Sequence, residues 1–556
     1  MKQQTYLYIV GIVMLTFTSC NSEYLERYPL DSPSNETFLT NEAELEMAVT
    51  GAYNALWYSY SGLPMSLTFD YASDIGWDRN TNDLQYLGLG LGNPDNGYTS
   101  AIWNQLYKGI ARCNNILDKA EGIKAIVAEA KYNQLISETR FLRAYFYSYL
   151  NELYGGVPLI TKVLPLSESQ VARSTKEEVT NFVLDELDQI EPHLLKVTNL
   201  SNKGRANQGA ALALKSRVAL FNERWDEAAM AAKALMDLGT YKLHPKFGEL
   251  FSYVGEKSDE IIWSIQYQKG LQVHAISLQF FSRLAKGFSG KIPVQSMVDS
   301  YECTDGLSID KSPRYNPQKP FENRDPRLTQ SIVLPQTVFI NYMFETHPDS
   351  LKTWNYNTNP ATRVSNTDVT NAYATFSGYL WRKYADVADK DDPANSDINI
   401  IAFRYAEVLL NYAEAKIEQN QLDQSVYDAI NTVRQRPTVN MPPIQTGKSQ
   451  EELRSIVRKE RKYELAAEGL RLFDIRRWKI AHQVIPGKLL GRIRNAFLAS
   501  APVIDENGTP HYEKVSNAEK MRVIETRTFD EKKNYLWPIP RLEREVNTKL
   551  EQNPNY

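Results

Sequence analysis

The sequence predicts a mainly α-helical protein, a tetratricopeptide-like helix-pair scaffold with long irregular loop insertions forming a ligand face. Three observations predict it. Apolar residues recur at helical spacing through residues 41–239 and again through 401–478. Within each stretch, two successive helices carry alanines where they would touch, the texture of a helical repeat. Between the stretches the helical period fades into Pro, Gly, Asn, Asp and aromatic residues.

The first segment stands outside that scaffold. Lys2 precedes an apolar run from Tyr6 to Phe17, shorter than the roughly 20 residues a spanning helix needs. It reads as the core of a signal peptide over residues 1–19. Thr18 and Ser19 then lead to Cys20, a pattern resembling a bacterial lipoprotein box, with Phe17 where Leu is usual. Cys20 is expected to carry the lipid and to become the mature N-terminus. Several acyl chains on one residue would anchor stably where a single chain is marginal. No second long apolar segment follows.

Helices are expected in order at Glu44–Trp57, Thr99–Ala120, Ala128–Leu153 and Thr175–Leu195. The third is long, aromatic and stopped by Gly155-Gly156-Val157-Pro158. The fourth can be capped by Ser174 or Thr175 with Glu177 or Glu178 three residues on. Gln208–Asn222 and Trp225–Leu238 form a tight pair closed by Gly239. Ile401–Gln419 and Leu422–Arg434 form a similar pair, and Ser449–Trp478 reads as one further long helix. This gives a helical region over 20–240, a loop-rich insertion over 241–400, and a second helical region over 401–556. Short strand-like runs appear at 261–265 and 331–334. Residues 70–98 and 485–535 read as further loops, and insertions of this kind usually carry specific function.

Composition narrows the function. There are 63 basic and 67 acidic residues, a balance that excludes a nucleic-acid partner held by bulk charge. Beyond Cys20 only Cys113 and Cys303 remain, without a disulfide framework. The 33 Tyr and 9 Trp suit wet binding surfaces, because each has an apolar face and a polar edge. Catalytic signatures are missing. No two of the six histidines have metal-ligand spacing. Gly287-Phe288-Ser289-Gly290 has the wrong spacing for a nucleophile elbow. Gly447-Lys448-Ser449 lacks the first glycine of a phosphate loop, since residue 442 is Pro. Asp386, Asp389, Asp391, Asp392 and Asp397 share a loop that could hold a structural calcium ion, though it reads better as a solvated acidic loop. A glycosidase needs only two carboxylates at the right separation, so a lipid-anchored glycoside hydrolase stays open, as does a helical adaptor that binds only protein.

Four segments carry a family resemblance. They are Pro320–Leu328, Arg404–Ala415, Glu460–Trp478, and the ending Ile539-Pro540 with Gln552–Tyr556. Together they resemble the SusD/RagB family of outer-membrane nutrient-binding lipoproteins, over essentially the whole mature chain and in the expected order. The family usually has Gly where this chain has Asn555. The resemblance implies helix pairs bearing a loop-built ligand face, and no catalysis. It implies a cell-surface position at the outer membrane and delivery to a SusC-like TonB-dependent transporter barrel, over which the lipoprotein closes as a lid. Ligands are expected to be oligosaccharides, with peptides for some members.

Within the motifs, Arg461, Glu464, Glu468 and Arg471 are spaced to share one helix face. They read as structural ion pairs, with Asp474 and Arg476, rather than as a ligand clamp. Asn323–Pro326 reads as a turn lock. Ligand candidates are loop aromatics with polar neighbours. Trp77 stands between Asp74 and Asp78, and the resemblance adds Asp74, Trp77 and Tyr98 as ligand-binding. Trp354 and Tyr356 lie in KTWNYNTN; Trp381 and Arg382 follow Gly378-Tyr379; Phe280 and Phe281 precede Arg283. Trp57, Trp103, Trp225 and Trp478 occupy helical apolar positions and are expected in the core.

Overall fold

Among the described residues, ten helices longer than a single short turn or two build the scaffold. They are α1 (Glu42–Tyr53), α2 (Gly97–Ala120), α3 (Glu129–Tyr154), α4 (Lys176–Ile190), α5 (Gln208–Phe221), α6 (Trp225–Asp237), α7 (Tyr405–Glu418), α8 (Gln424–Arg434), α9 (Gln450–Glu464) and α10 (Arg471–Arg477). The computed structural model describes residues 38–196 and 204–556, so the expected signal segment and the expected lipidation site Cys20 lie outside the described residues. No helix of the described residues is long and apolar enough to cross a membrane.

Helix starts follow their capping chemistry. Thr175 and Glu178 close a capping box on α4, and Ser449 and Glu452 do the same on α9. Asn207 caps α5 by accepting from the Ala210 amide at 2.9 Å. At the end of α3, Gly155 takes φ +76°. Gly156 follows, where a Cβ would meet the Ser174 carbonyl oxygen at 2.1 Å. Only glycine permits so close an approach.

The helices stack in a row. α2 packs on α3, α3 on α4, α4 on α5, α5 on α6, α6 on α7, and α7 on both α8 and α9. Ala228, Ala231 and Ala232 of α6 and Ala413 and Ala415 of α7 are buried, so neighbouring helices approach closely without losing packed volume. This is the tetratricopeptide-like array. The loop-rich stretch leaves after α6 and returns at α7, two helices that lie side by side.

Three boundaries differ from the sequence expectation. Ile400–Arg404 is a strand, β8, not the start of a helix. It pairs antiparallel with β2 (Ile261–Ile265), a fully buried run rich in β-branched residues. The helix expected to Trp478 breaks after Glu464. Ala467 and Gly469 adopt φ +61° and +78°, and a Cβ on Gly469 would strike the Ser66 carbonyl oxygen at 1.6 Å. The expected loop 70–98 holds β1 (Gly76–Asp78) and a helical turn over Asp83–Gly88. β1 pairs with β3 (Lys291–Pro293). The loop-rich stretch also carries a four-stranded antiparallel meander of β4 (Thr337–Phe339), β5 (Tyr342–Phe344), β6 (Lys352–Asn355) and β7 (Thr362–Ser365). Further on, β9 (Gly487–Gly491) pairs with β10 (Arg522–Arg527).

One large apolar core runs from Leu39 to Leu550 and joins both helical stretches. Trp103 and Trp478 belong to buried cores, while Trp57 and Trp225 pack half-buried against the main one. A second, smaller core lies in the loop-rich part and includes Trp77, Phe281, Ile292, Phe339, Leu380 and Leu489.

Buried ion pairs tie the two parts together. Arg404 reaches Glu260 and Glu464 at 2.8 Å and Glu468 at 2.7 Å. Arg436 joins Glu260 and Glu464 at 3.0 and 2.7 Å. Arg327 bonds Asp325 at 2.7 Å, Glu464 at 3.1 Å, and Glu460. Burial would raise the Glu464 carboxyl, but Arg436, Arg404 and Arg327 hold it well below the usual carboxylate range. The charges expected as a ladder along one helix are therefore links between elements, since the helix ends at Glu464: Arg461 pairs with Asp474 and Arg471 with Asp74, while Arg476 has no carboxylate partner among the described residues and donates to the Asn534 carbonyl at 3.0 Å. Arg324 donates to the carbonyls of Val298, Tyr301 and Pro320 at 2.8 Å each, which fixes the expected turn.

Candidate functional site

A cavity of about 230 Å³ opens beside the second core. It is lined by the short helix Thr367–Thr370, the segment 371–378, Thr346, and three arginines, Arg492, Arg494 and Arg522. Its walls follow from local chemistry. Asn366 caps the short helix and is fully buried. Its side-chain amide donates to the carbonyls of Glu345 and Ser350 at 2.9 Å, which ties the β-meander to the cavity wall.

The arginines sit at one end of the β9–β10 ladder. Arg522 is the register partner of Gly491, so no side chain opposes it. Arg492 and Arg494 flank buried Ile493, and strand-like alternation puts both on one side. The Arg492 amide donates to the Ser377 carbonyl at 2.9 Å, and its guanidinium donates to Thr346 Oγ1 at 3.1 Å. Glycines permit this packing. A Cβ on Gly491 would meet the Phe376 carbonyl oxygen at 2.6 Å, and one on Gly378 the Arg492 Cδ at 2.5 Å. The Arg522 guanidinium lies 3.8 Å from the Phe376 ring centre. Phe376 also stacks on Trp77 at 5.2 Å. A guanidinium that close covers one ring face, which leaves the other for Trp77. Burial and the neighbouring Arg494 charge both depress the Arg522 pKa.

Asp368 is the sole carboxylate lining the cavity. Burial raises it to about 6, opposed by hydrogen bonds from the Ser282 side chain and the Leu284 and Arg283 amides. The same 371–378 segment carries Tyr373, 63% exposed. Arg79 and Arg283 both donate to its carbonyl, and both lie within 6 Å of its ring.

The residues singled out from sequence fall in two groups. Asp74, Trp77, Asp78, Tyr98 and Trp381 are buried, and in this conformation they present no surface to a ligand. Each has an interior role. Asp74 is held by Arg471 at 2.8 Å and Lys462 at 3.5 Å. Burial alone would raise its carboxyl, but Arg471 and then Lys462 hold it at about 2. Asp78 pairs with Lys291 at 2.9 Å, both fully buried. Tyr98 shares a hydrogen bond with Thr68. Trp77 donates from Nε1 to Glu525 of β10 at 2.9 Å and underlies Phe376, so it supports the cavity from below. Phe280 and Phe281 are core. Arg382 is half-buried, its guanidinium 5.5 Å from the Phe339 ring.

Trp354 and Tyr356 are each 40% exposed on and beside β6. Arg363, the register partner of Trp354, lies 5.1 Å over its ring. The acidic loop's side chains are engaged by neighbouring donors, Asp389 and Asp397 both by the Tyr253 hydroxyl. Asp389 accepts from Ser277 and Tyr253, and Asp392 from Asn395. No group of three or more His, Cys, Asp or Glu side chains gathers to hold a metal among the described residues. Sequence reasoning passed over Phe376, Arg492, Arg494 and Arg522. The Arg-Ile-Arg alternation was the one signal for two of them.

Comparison with known proteins places the architecture. A model described as "SusD family" matches residues 259–556, and one described as "Starch-binding associating with outer membrane" matches residues 23–220. A SusD-like protein of Formosa agariphila is 26% identical over 500 residues, covering 87% of this chain and 92% of that protein. The starch-binding protein SusD of Bacteroides thetaiotaomicron is 25% identical over 197 residues, 34% of each chain. Among solved structures, a SusD-like carbohydrate binding protein from Bacteroides fragilis superposes with a TM-score of 0.80 at 29% identity, covering 93% of this chain and all of that one. A laminarin binding SusD-like protein has a TM-score of 0.68 over 93% of this chain and all of its own, and at 20% identity the likeness is one of fold. One family model spans more than half of the residues, and the motifs it covers form the buried ion-pair web: the chain belongs to the SusD family.

Proposed function

We propose that the protein is a cell-surface lipoprotein that binds an oligosaccharide and hands it to a TonB-dependent outer-membrane transporter. The observation that carries this reading is the open, polar, arginine-lined cavity on a rigid helical frame, in a chain of this family. Relatives named for starch, laminarin or carbohydrate binding support the ligand class. The Cys20 lipobox supports the membrane anchor, and the family resemblance supports the transporter partner. Binding without catalysis is favoured because glycoside hydrolysis uses a pair of carboxylates, and Asp368 alone lines this cavity.

The test is isothermal titration of the mature chain in detergent against a broad panel of oligosaccharides and peptides. Carbohydrate binding with no new reducing ends is expected. Binding of peptides alone would move the ligand class, and release of reducing ends would make the protein an enzyme. Cys20→Ala is expected to release the protein from the membrane fraction. Retention there would refute the lipid anchor.

A further inference from the structure

We infer that the cavity selects an oligosaccharide bearing anionic substituents, sulfate esters or uronate carboxylates, bound by Arg492, Arg494 and Arg522. This rests on the carbohydrate-binding reading above and specifies its ligand.

Three buried arginines, Arg404, Arg436 and Arg327, each hold two or more carboxylates, and buried Arg324 and Arg476 are held by backbone carbonyls. The cavity arginines are open to solvent: Arg494 is exposed, and Arg492 and Arg522 are half-buried. None of the three has a carboxylate within ion-pair distance among the described residues, although the chain as a whole carries a net charge of −4. The one carboxylate nearby, Asp368, accepts the Arg283 amide at 2.6 Å and the Leu284 amide at 3.3 Å, so it is engaged with the adjacent turn. Three like charges converging on one small space repel one another; the Arg522 pKa is depressed first by burial and then by the Arg494 charge. An anion in the cavity would relieve that repulsion.

The geometry suits an oxyanion better than a neutral sugar face. Phe376 is sandwiched between Trp77 and the Arg522 guanidinium, so its ring is not free to stack on sugar C–H bonds. What the stack displays instead is a planar guanidinium held flat. Its edge N–H groups match the paired oxygens of a sulfate or carboxylate. At about 230 Å³ the cavity is smaller than the roughly 300 Å³ of ordinary ligand pockets, room for one substituted ring with the rest of the chain passing outside.

The test uses the full lipidated chain and matched ligands: cello-oligosaccharides, their sulfate esters, an oligogalacturonate, and inorganic sulfate. Titrations run at about 50 mM and about 300 mM salt. A charged oligosaccharide is expected to bind roughly tenfold or more tighter than its neutral match, and less tightly at the higher salt. Sulfate ester and galacturonate arms separate the two sources of charge. In Arg494→Gln/Arg522→Gln the charged-to-neutral affinity ratio is expected to fall towards one. Arg541→Gln, at an exposed pair with Asp95, should leave the ratio as it is. Equal affinity for charged and neutral members, or an unchanged ratio in the double variant, refutes the anionic selection while the carbohydrate reading stands. Inorganic sulfate binding as tightly as any glycan also refutes it. Binding of no oligosaccharide at all refutes both readings. Melting temperatures of each variant separate lost binding from lost fold.

Discussion

Arg404 has three carboxylates in its reach and no exposure to water. Removing it would take one cationic partner from each of Glu260, Glu464 and Glu468, leaving Glu260 with Arg436, Glu464 with Arg436 and Arg327, and Glu468 with Lys383. Arg404→Met is therefore expected to cost about 3–5 kcal/mol in denaturant unfolding, the penalty of breaking a buried pair from one side. A loss below about 1 kcal/mol would show the cluster to be hydrated. Asp74 gives the fold a pH limb. Its carboxyl sits at about 2 in the fold against 3.8 free, so the native state holds that proton less tightly than the unfolded chain. The group stabilises the protein above about pH 4 and ceases to do so as pH falls through about 2, a contribution of about 2 kcal/mol. Stability curves of the wild type and Asp74→Asn should converge across that interval; parallel curves would remove Asp74 from the acid limb. Asn555, near the end of the chain, adopts φ +64°. Asn tolerates this region better than other non-glycine residues. Asn555→Gly should change stability by no more than about 0.5 kcal/mol, and Asn555→Val should cost about 1–3 kcal/mol, both read from urea midpoints.

At the scale of elements, the β9–β10 ladder and the 371–378 segment form one unit. Gly378 has φ +86° and leaves room for the Arg492 stem. Gly378→Ala should therefore cost about 1–3 kcal/mol through backbone strain and also weaken anionic-ligand binding by displacing Arg492. Binding kept intact would show that Arg492 takes no part. The helices were largely legible in the sequence because their signals are local: caps at Thr175 and Ser449, alanines at 228, 231 and 413, stops at Gly155 and Gly239. The loop tryptophans were not. Trp77 meets Phe376 and Glu525, partners hundreds of residues away, and nothing near it in sequence announces that it will be covered. Strand β8 was hidden for the same reason, since its partner β2 lies far upstream. The cavity arginines escaped notice because Arg in a polar loop ordinarily reads as a solvated surface.

For the whole molecule, the main core runs from Leu39 to Leu550, the ion-pair web joins the insertion to the second helical stretch, and the buried Arg217–Glu407 pair joins the two helical stretches. The protein is therefore expected to unfold in a single calorimetric transition. Two resolved transitions would show the loop-rich part to be an independent folding unit. The family motifs proved legible as ion pairs, because a buried charge needs a partner and they supply matching signs. Which elements they would join was not legible, since that depends on the break at Ala467–Gly469.

The place where the row of helices is interrupted has an evolutionary consequence. α6 and α7 lie side by side, yet the chain between residues 238 and 404 leaves and returns before the row resumes. The entropy of closing so long an excursion grows only logarithmically, about 0.6 kcal/mol for each doubling of its length. Insertions and deletions at its surface turns are thus nearly free for the scaffold. A lineage could exchange the cavity's walls, and with them the diet, without rebuilding the frame that holds them.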